Sequence, residues 1–371
     1  MKKTIFKSFI HDFIKNFALY IFSLSIIIWI IQAVNYLDFV AEDGHGFRVY
    51  FYYTLLSIPK IISRILMFVF FVSLFHTIIK IDDRNELLIY WINGIRKIDF
   101  KRLIIGISII CLFIQLVLNI YVTPKTQDLA RSYIRSSSID FLPSLIKEKK
   151  FIDTVQDLTI FIENKKENGK LENIFLKTNI NNKDYQIIYA REGEIKFKNN
   201  QNYLLLENGE IIDSLNNKQK TISFNQTEFN LSRYGTKTTT SQKIQEVETK
   251  NILECINNKK NLKRLNNDIF QCKEEVFPQL YQELIKRLIH PLYIPLLAVI
   301  CCLTILRNKD SYNYYIYKFL LFFLGFIFII LGEILLRYTG SNMISNLQFI
   351  MIPLLSFLIL NLFFNFKSKV N

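Results

Sequence analysis

The chain has 371 residues, half of them hydrophobic, and a formal net charge of +14 at pH 7. Most of the basic excess flanks long hydrophobic runs, where membrane orientation and contact with anionic lipids account for it, so nucleic-acid binding is not expected. The sequence also lacks a phosphate-binding Gly-x-x-x-x-Gly-Lys-Ser/Thr loop, a His-Glu-x-x-His motif and a Gly-x-Ser-x-Gly elbow. We therefore expect neither an enzyme active site nor a metal or cofactor site.

Six hydrophobic runs come near the length of about 20 residues that a helix needs to cross a bilayer. The fourth is short, but it lengthens if residues 285–293 join it across Pro291. The first is too long for a signal peptide and is predicted to stay as a helix. The runs are Phe13–Val34, Ile61–Ile79, Leu103–Val122, Leu292–Leu306, Tyr314–Leu336 and Leu347–Phe364.

Charge placement predicts the orientation of these spans. Lysines and arginines precede the first span and fill the loops after the second and fourth, whereas the loop Asn35–Arg48 carries three acidic residues. By the positive-inside rule both termini are cytoplasmic. The large segment after the third span then lies outside, which in a Gram-negative cell means the periplasm. The predicted organisation is three spans over 1–122, an external domain over 123–280 and three spans over 281–371.

Residues 82–95, between the second and third spans, predict a short amphipathic helix with charges at its start. Glu86 has two interpretations. As a carboxylate in a solvated first turn it complements the helix dipole, worth about 0.3–1 kcal/mol. As an interface residue it pairs with a basic group of a soluble partner, with Leu87, Tyr90 and Trp91 filling an apolar cleft.

The external segment predicts an all-β domain, because short alternating runs recur at roughly ten-residue spacing with Asn-Gly turns between them. A sandwich or jelly roll fits, either closed or with a groove between its sheets. Ile160, Ile162, Ile188 and Leu205 are predicted to face the interior. The runs are Asp157–Glu163, Asn173–Thr178, Tyr185–Ala190, Tyr203–Glu207, Ile211–Asp213 and Thr221–Leu231.

After this domain, Thr236–Glu248 is a polar connector, and Asn251–Glu275 has helical spacing. Cys255 and Cys272 both lie in this external region, where an oxidising compartment permits a disulfide. A continuous helix between them would hold them apart, so the sequence leaves the disulfide open.

These features resemble the LptF/LptG family of lipopolysaccharide export permeases, in which three spans, a periplasmic β-jellyroll and three more spans follow one another. The segment Glu86–Ile95 is similar to the family's coupling helix, although Arg96 stands where the family usually has Ser and Tyr90-Trp91 replaces small residues. Ala190–Ile195 and Leu206–Gly209 are similar to its strand ends. Gln245-Glu246 and Glu283-x-x-x-Arg287 resemble its return into the fourth span. The first span, with Trp29 to Asp38, resembles LptF more than LptG.

The resemblance implies a transport subunit with no ATPase activity of its own. Two such permeases pair on a homodimeric cytosolic ABC ATPase (LptB-like), and the second permease here would be LptG-like. Closure of the ATPase squeezes lipopolysaccharide out of the cavity between the permeases. The lipid passes through the periplasmic domains to a single-span bridge protein (LptC-like) and toward the outer membrane.

The resemblance also implies roles for particular residues. Guanidinium and ammonium groups at the outer ends of the second and third spans would contact lipid A phosphates, the alternative being ordinary solvated charge. Small and aromatic residues of the first and fifth spans would form a lateral gate against the second permease, or serve as plain packing and interfacial anchors. Glu333 and Arg337, four residues apart, are expected to pair with each other. The candidate sets are Arg84, Glu86, Leu87, Tyr90, Trp91 and Gly94 for ATPase coupling; Lys60, Arg64, Lys125, Arg131 and Arg135 for substrate; and Trp29, Gln32, Tyr36, Gly325 and Gly332 for the gate.

Two rival functions stay open at this stage. A mechanotransmission subunit would relay ATPase movement without moving lipid, but its outer domain usually follows the first span. A tethered periplasmic binding protein would have no ATPase and little need for the Glu86 helix.

Overall fold

Six helices of the computed structural model are long and apolar enough to cross a membrane, which confirms a multi-pass membrane protein with an inserted β domain. The described residues are 2–37, 47–145, 148–155, 157–166, 169–179, 184–198, 201–215, 218–231, 243–257, 272, 274–307, 309, 311–340 and 342–370.

Most of the helices extend beyond the predicted hydrophobic runs, although the fourth span ends at Leu306 and the fifth begins at Tyr314, as predicted. Short π or 3-10 turns continue some of them, at Leu118–Val122, Ile244–Glu246, Glu274–Val276, His290–Leu292 and Thr304–Leu306. The α-helices are α1 (Lys2–Asn35), α2 (Phe47–Leu56), α3 (Ile58–Asp83), α4 (Glu86–Ile92), α5 (Lys97–Val117), α6 (Thr123–Leu145), α7 (Thr249–Asn257), α8 (Phe277–Leu288), α9 (Tyr293–Leu303), α10 (Tyr314–Tyr338) and α11 (Met343–Val370).

The fourth span, formed by α8 and α9, is the centre of the helical bundle. Every residue of α9 except the half-buried Pro295 is buried, and the helix packs against α3, α5, α10 and α11. Its sequence is apolar on all faces, as a helix surrounded by other helices requires. As expected from the sequence, residues 285–293 join this span, through a 3-10 turn at Pro291.

The third span continues from α5 into α6 through the π turn Leu118–Val122. The turn lies just before Pro124, which has no N–H to give to the carbonyl of Ile120 and whose ring crowds that carbonyl. Widening the helix by one residue relieves this conflict. The hydroxyl of Thr249 donates to the Ile120 carbonyl at 3.0 Å, so the oxygen keeps a partner.

The chain divides into two compact units. The first comprises residues 1–30, 57–128 and 243–371, and the second comprises residues 31–56 and 129–242. In the second unit the end of α1 meets α2, where the Tyr50 hydroxyl donates to the Ala33 carbonyl at 2.9 Å. On α6, Tyr133 stacks against Tyr52 with ring centroids 5.2 Å apart.

The β domain is one antiparallel sheet of six strands in consecutive order, a meander, among the described residues. The prediction of an all-β domain is confirmed, but jelly rolls have Greek-key connections and this order does not. One face of the sheet carries the domain's apolar core. The strands are β1 (Phe151–Val155), β2 (Leu158–Lys165), β3 (Lys170–Asn179), β4 (Tyr185–Lys198), β5 (Gln201–Leu215) and β6 (Lys218–Asn230).

Two details of β5 differ from the sequence prediction. Asn208-Gly209 lies inside this strand rather than in a turn, with Asn208 at a φ of 52°. A Cβ at Gly209 would collide with the Tyr189 carbonyl on β4 and the Phe224 ring on β6, so only glycine fits between the neighbouring strands. Leu204 and Leu206 face the core instead of Leu205. Ile160, Ile162 and Ile188 are buried, as predicted.

The predicted single helix over residues 251–275 is wrong. Helix α7 ends at Asn257, and Cys255 and Cys272 form a disulfide with their Cα atoms 6.1 Å apart. One continuous helix would separate these Cα atoms by about 25 Å, which no disulfide can bridge.

Candidate functional site

Helix α4 lies between the second and third spans and is shorter than predicted, because Asp82 and Asp83 still belong to α3. It begins after Asn85, which has a φ of 57°, and the chain leaves it through Gly94 at a φ of 71°. Asn and Gly are the residues that adopt this left-handed conformation most readily. The two positions set off a helix of two turns from its neighbours.

The two faces of α4 have different environments. Leu87 and Tyr90 are buried, and the Tyr90 ring packs edge-on against Phe100 at the start of the third span, with centroids 5.5 Å apart. The pKa of Tyr90 is raised to about 12, mainly by burial and to a smaller extent by the nearby Glu86 carboxylate, so the phenol stays neutral. Half-buried Trp91 lies 6.3 Å from the same ring.

The outward face of α4 consists of Leu88, Ile89 and Ile92, which are 56, 52 and 83% exposed. The sequence pattern had predicted no role for these residues. The available signal was the i, i+4 spacing of Leu88 and Ile92, which places them on one face. Three large exposed apolar side chains on a charged loop form a patch of the kind that marks a protein interface.

The polar start of α4 is held by ion pairs. Arg84 and Glu86 form an exposed pair at 3.7 Å. Lys318, buried on α10, places its ammonium 2.8 Å from Asp82 and 3.8 Å from Asp83. The Tyr314 hydroxyl donates to Asp82 as well. These contacts connect the segment that leads into α4 with the beginning of the fifth span.

A polar cavity of about 60 Å³ lies inside the helical unit. This volume exceeds the roughly 10–15 Å³ that one water molecule needs. Among the lining side chains are four basic and two acidic groups, so the cavity is electropositive when His290 is neutral. It is lined by Lys60, Ser63, Arg64, Gln115, Asn119, Thr123, Gln127, Gln245, Glu283, Lys286, Arg287, His290 and Glu333.

Hydrogen bonds connect several of the residues that line the cavity. The Lys60 ammonium donates to the Gln127 side-chain oxygen at 3.2 Å, and the Gln115 amide donates to the Ser63 carbonyl at 2.7 Å. Glu333 lies 3.4 Å from His290 Nε2. The predicted pair of Glu333 and Arg337 is wrong, because no ion pair joins these two side chains in the described part of the structure. The neighbour of the Glu333 carboxylate is His290, for which the sequence predicted no role.

Two of the predicted substrate residues lie together in the structure. Lys60 and Arg64 both line the polar cavity, one turn apart on α3. Lys125 is exposed on α6, and Arg131 is buried within the second unit. Arg135 belongs to α6, but its side chain falls outside the described part of the structure.

The predicted gate glycines pack within this chain. Gly325 on α10 lies against the ring of Phe71 on α3, and a Cβ there would collide with that ring. Gly332 faces Tyr293 of α9, whose ring would lie 3.3 Å from an added Cβ. Trp29 and Gln32 on α1, and Tyr36 just after it, are half-buried, and the Tyr36 ring lies 5.0 Å from Tyr53.

Comparison with known proteins agrees with this architecture. An uncharacterised protein of Rickettsia prowazekii (strain Madrid E), RP871, is 19% identical over 203 residues, which cover 55% of this chain and 56% of that protein. The match thus spans little more than half the length of this relative. The model of the lipopolysaccharide export system permease family LptF/LptG matches residues 7–365, nearly the whole chain. The chain therefore belongs to the LptF/LptG family.

Proposed function

We propose that this protein is a permease subunit of an ATP-driven exporter that takes lipopolysaccharide from the inner membrane and passes it toward the outer membrane. The observation that carries the proposal is the family match over residues 7–365, which includes all six spans and the β domain. The charge distribution supports cytoplasmic termini and a periplasmic β domain.

A second permease of the family, LptG-like if this chain is LptF-like, is the proposed partner within the membrane. Only 6, 22 and 17% of the most apolar windows of α1, α10 and α11 are buried, against 78% for the fourth span. These outer spans have surface left for lipid and for another subunit. Trp29 and Gln32 of α1, with Tyr36 just after it, are proposed to form the gate on this surface. Gly325 and Gly332 are proposed to set the position of α10 from inside the chain.

Helix α4 is the proposed coupling helix for a homodimeric cytosolic ABC ATPase. Arg84 and Glu86 offer exposed charges for a basic or acidic groove, and Leu88, Ile89 and Ile92 offer apolar area beside them. Leu87, Tyr90 and Trp91 are proposed to act indirectly, by fixing the helix against Phe100. Gly94 lets the chain turn into the third span.

The polar cavity supports a role for Lys60 and Arg64 in holding an anionic headgroup such as a lipid A phosphate. Guanidinium groups bind phosphate through paired hydrogen bonds, and the surplus of basic groups leaves charge available for it. Lys125, Arg131 and Arg135 are proposed to contact the same substrate farther along the third span's extension. The β domain would then receive the lipid and hand it to a single-span bridge protein.

The first experiment is affinity purification of this chain from its native membrane in mild detergent, with identification of every co-purifying protein. A second six-span permease and a soluble ATPase are expected, and the identity of that permease decides between LptF and LptG. Reconstitution of the complex should then show ATP-dependent transfer of lipopolysaccharide. Recovery of the folded chain alone would favour the tethered binding protein.

A further inference from the structure

Arg287, near the end of α8, is 2% exposed and lies in the first compact unit. It contacts residues 244–249, which we name the return segment because they lead the chain from the β domain back to the spans. An arginine buried at this depth is costly unless all its donors find acceptors.

All three nitrogens of the guanidinium are hydrogen-bonded. Nε donates to the Glu283 carboxylate at 3.1 Å. Nη1 donates to the Val247 carbonyl at 2.9 Å and to the Thr249 hydroxyl at 2.8 Å. Nη2 donates to the Gln245 carbonyl at 3.1 Å and to the Ile244 carbonyl at 3.4 Å. The five N–H groups are thus engaged within the chain, so Arg287 borders the polar cavity without being available to an anion.

The contacts extend to the third span. Thr249, which accepts from Arg287, donates its own proton to the Ile120 carbonyl at 3.0 Å. Pro124, four residues later, has no N–H that could donate to this carbonyl. One hydroxyl therefore joins α8, the return segment and the π turn of the third span.

We propose that Arg287 is a positioning residue that clamps the return segment between the third and fourth spans and so passes their relative movement to the β domain. The transmission role rests on the proposed function, whereas the clamp itself does not. A lysine cannot replace the arginine, because its single ammonium cannot reach carbonyls spread over residues 245–247 and also Glu283.

The clamp is tested by hydrogen exchange of backbone amides 244–252 in the full chain in lipid nanodiscs. Arg287→Lys and Arg287→Met are expected to speed this exchange about tenfold or more, since each leaves buried carbonyls without a donor. Arg337→Met, at an exposed arginine of α10, is the matched control and should change nothing. Thr249→Val removes only the shared hydroxyl and keeps the test usable if the Arg287 variants do not fold. Unchanged exchange in the folded variants would overturn the proposal.

Transmission is tested in the reconstituted complex by measuring lipopolysaccharide transferred per ATP hydrolysed. We expect the Arg287→Lys complex to keep its ATPase rate within about twofold while transfer per ATP falls about tenfold, since the ATPase contact is untouched. Faster exchange with unchanged transfer per ATP would mean a purely structural role and would also overturn the proposal. If the unaltered complex transfers no lipopolysaccharide, the proposed function fails, while the exchange comparison still decides the clamp.

Discussion

At the scale of single residues, burial separates the side chains that shape α4 from those exposed for its proposed contact with the ATPase. Leu87 is 4% exposed and Ile92 is 83% exposed, although they are five residues apart on one short helix. The sequence did not reveal this division, since seven residues make barely two turns. Tyr90, also buried, packs against Phe100, which lies in the next span and outside the sequence of α4.

Charge reversal at Glu86 and Ile92→Asp should each abolish co-purification of the ATPase without lowering the thermal stability of the chain. Both substitutions fall on exposed or half-exposed positions, where stability changes are usually within about 0.5 kcal/mol. Leu87→Ala is the comparison: it leaves a cavity against the bundle and should cost about 2–5 kcal/mol of stability. Thermal unfolding and a pull-down on the same samples provide the measurement. If Glu86→Lys still binds the ATPase and supports export, α4 is not the coupling helix.

Two glycines in spans offer a second residue-scale prediction. Gly325→Ala should destabilise the bundle by about 1–3 kcal/mol, because its methyl group would push into the buried Phe71 ring. Gly106→Ala is the matched control, since nothing lies within 4 Å of its Cβ position on the exposed face of α5. It should leave stability equal or raise it by about 0.5–1 kcal/mol. Melting temperatures in the same detergent compare the two, and equal destabilisation would contradict this packing.

At the scale of elements, the sequence predicted what hydrophobic length and alternation determine. All six spans were predicted, since a run of about 20 apolar residues seldom forms anything but a membrane-spanning helix. In β2 the predicted faces were right, since Ile160 and Ile162, two residues apart, are both buried. In β5 the run Leu204-Leu205-Leu206 has no alternation, and the face was assigned one residue out of register. The Asn-Gly pair misled for a different reason, since close strand approach also requires glycine.

The residues of the polar cavity were likewise predictable only in part. Lys60 and Arg64 stood out in the sequence because charge is rare in apolar helices. Their neighbours Gln115, Gln127 and His290 come from other spans, and only the packing of those spans brings them together. Predicting them requires the rotation of each helix about its own axis, which the residue pattern of a single span does not determine.

The disulfide between Cys255 and Cys272 is expected to stabilise the segment that includes α7. It closes a loop of 17 residues, and loops of about that length give roughly 3 kcal/mol of stabilisation. A non-reducing digest of the native protein should contain the two peptides joined, and Cys255→Ser with Cys272→Ser should make the segment more sensitive to protease. Cys111→Ser, at a buried free thiol, is the control. Two free thiols in protein taken directly from membranes would contradict the pairing.

At the scale of the whole molecule, the charge rule predicts sidedness that labelling can measure. Tyr312→Cys, between the fourth and fifth spans, should react with an impermeant maleimide only after the inner membrane is opened. Lys196→Cys on β4 should react as soon as the outer membrane is permeable. Both positions are exposed, so access to the compartment decides the result. The reverse pattern would show that the topology is inverted, and α4 would then lie on the side of the membrane opposite to a cytosolic ATPase.

The central position of α9 has a consequence for how the protein is made. Ribosomes add about 5–20 residues per second, so the first three spans enter the membrane on the order of ten seconds before the helix around which they pack. During that interval α3 and α5 expose to lipid the faces that α9 later covers. The early half therefore needs protection by the insertion machinery or by its own transient pairing. A nascent chain stalled before α9 should be a substrate for membrane quality-control proteases.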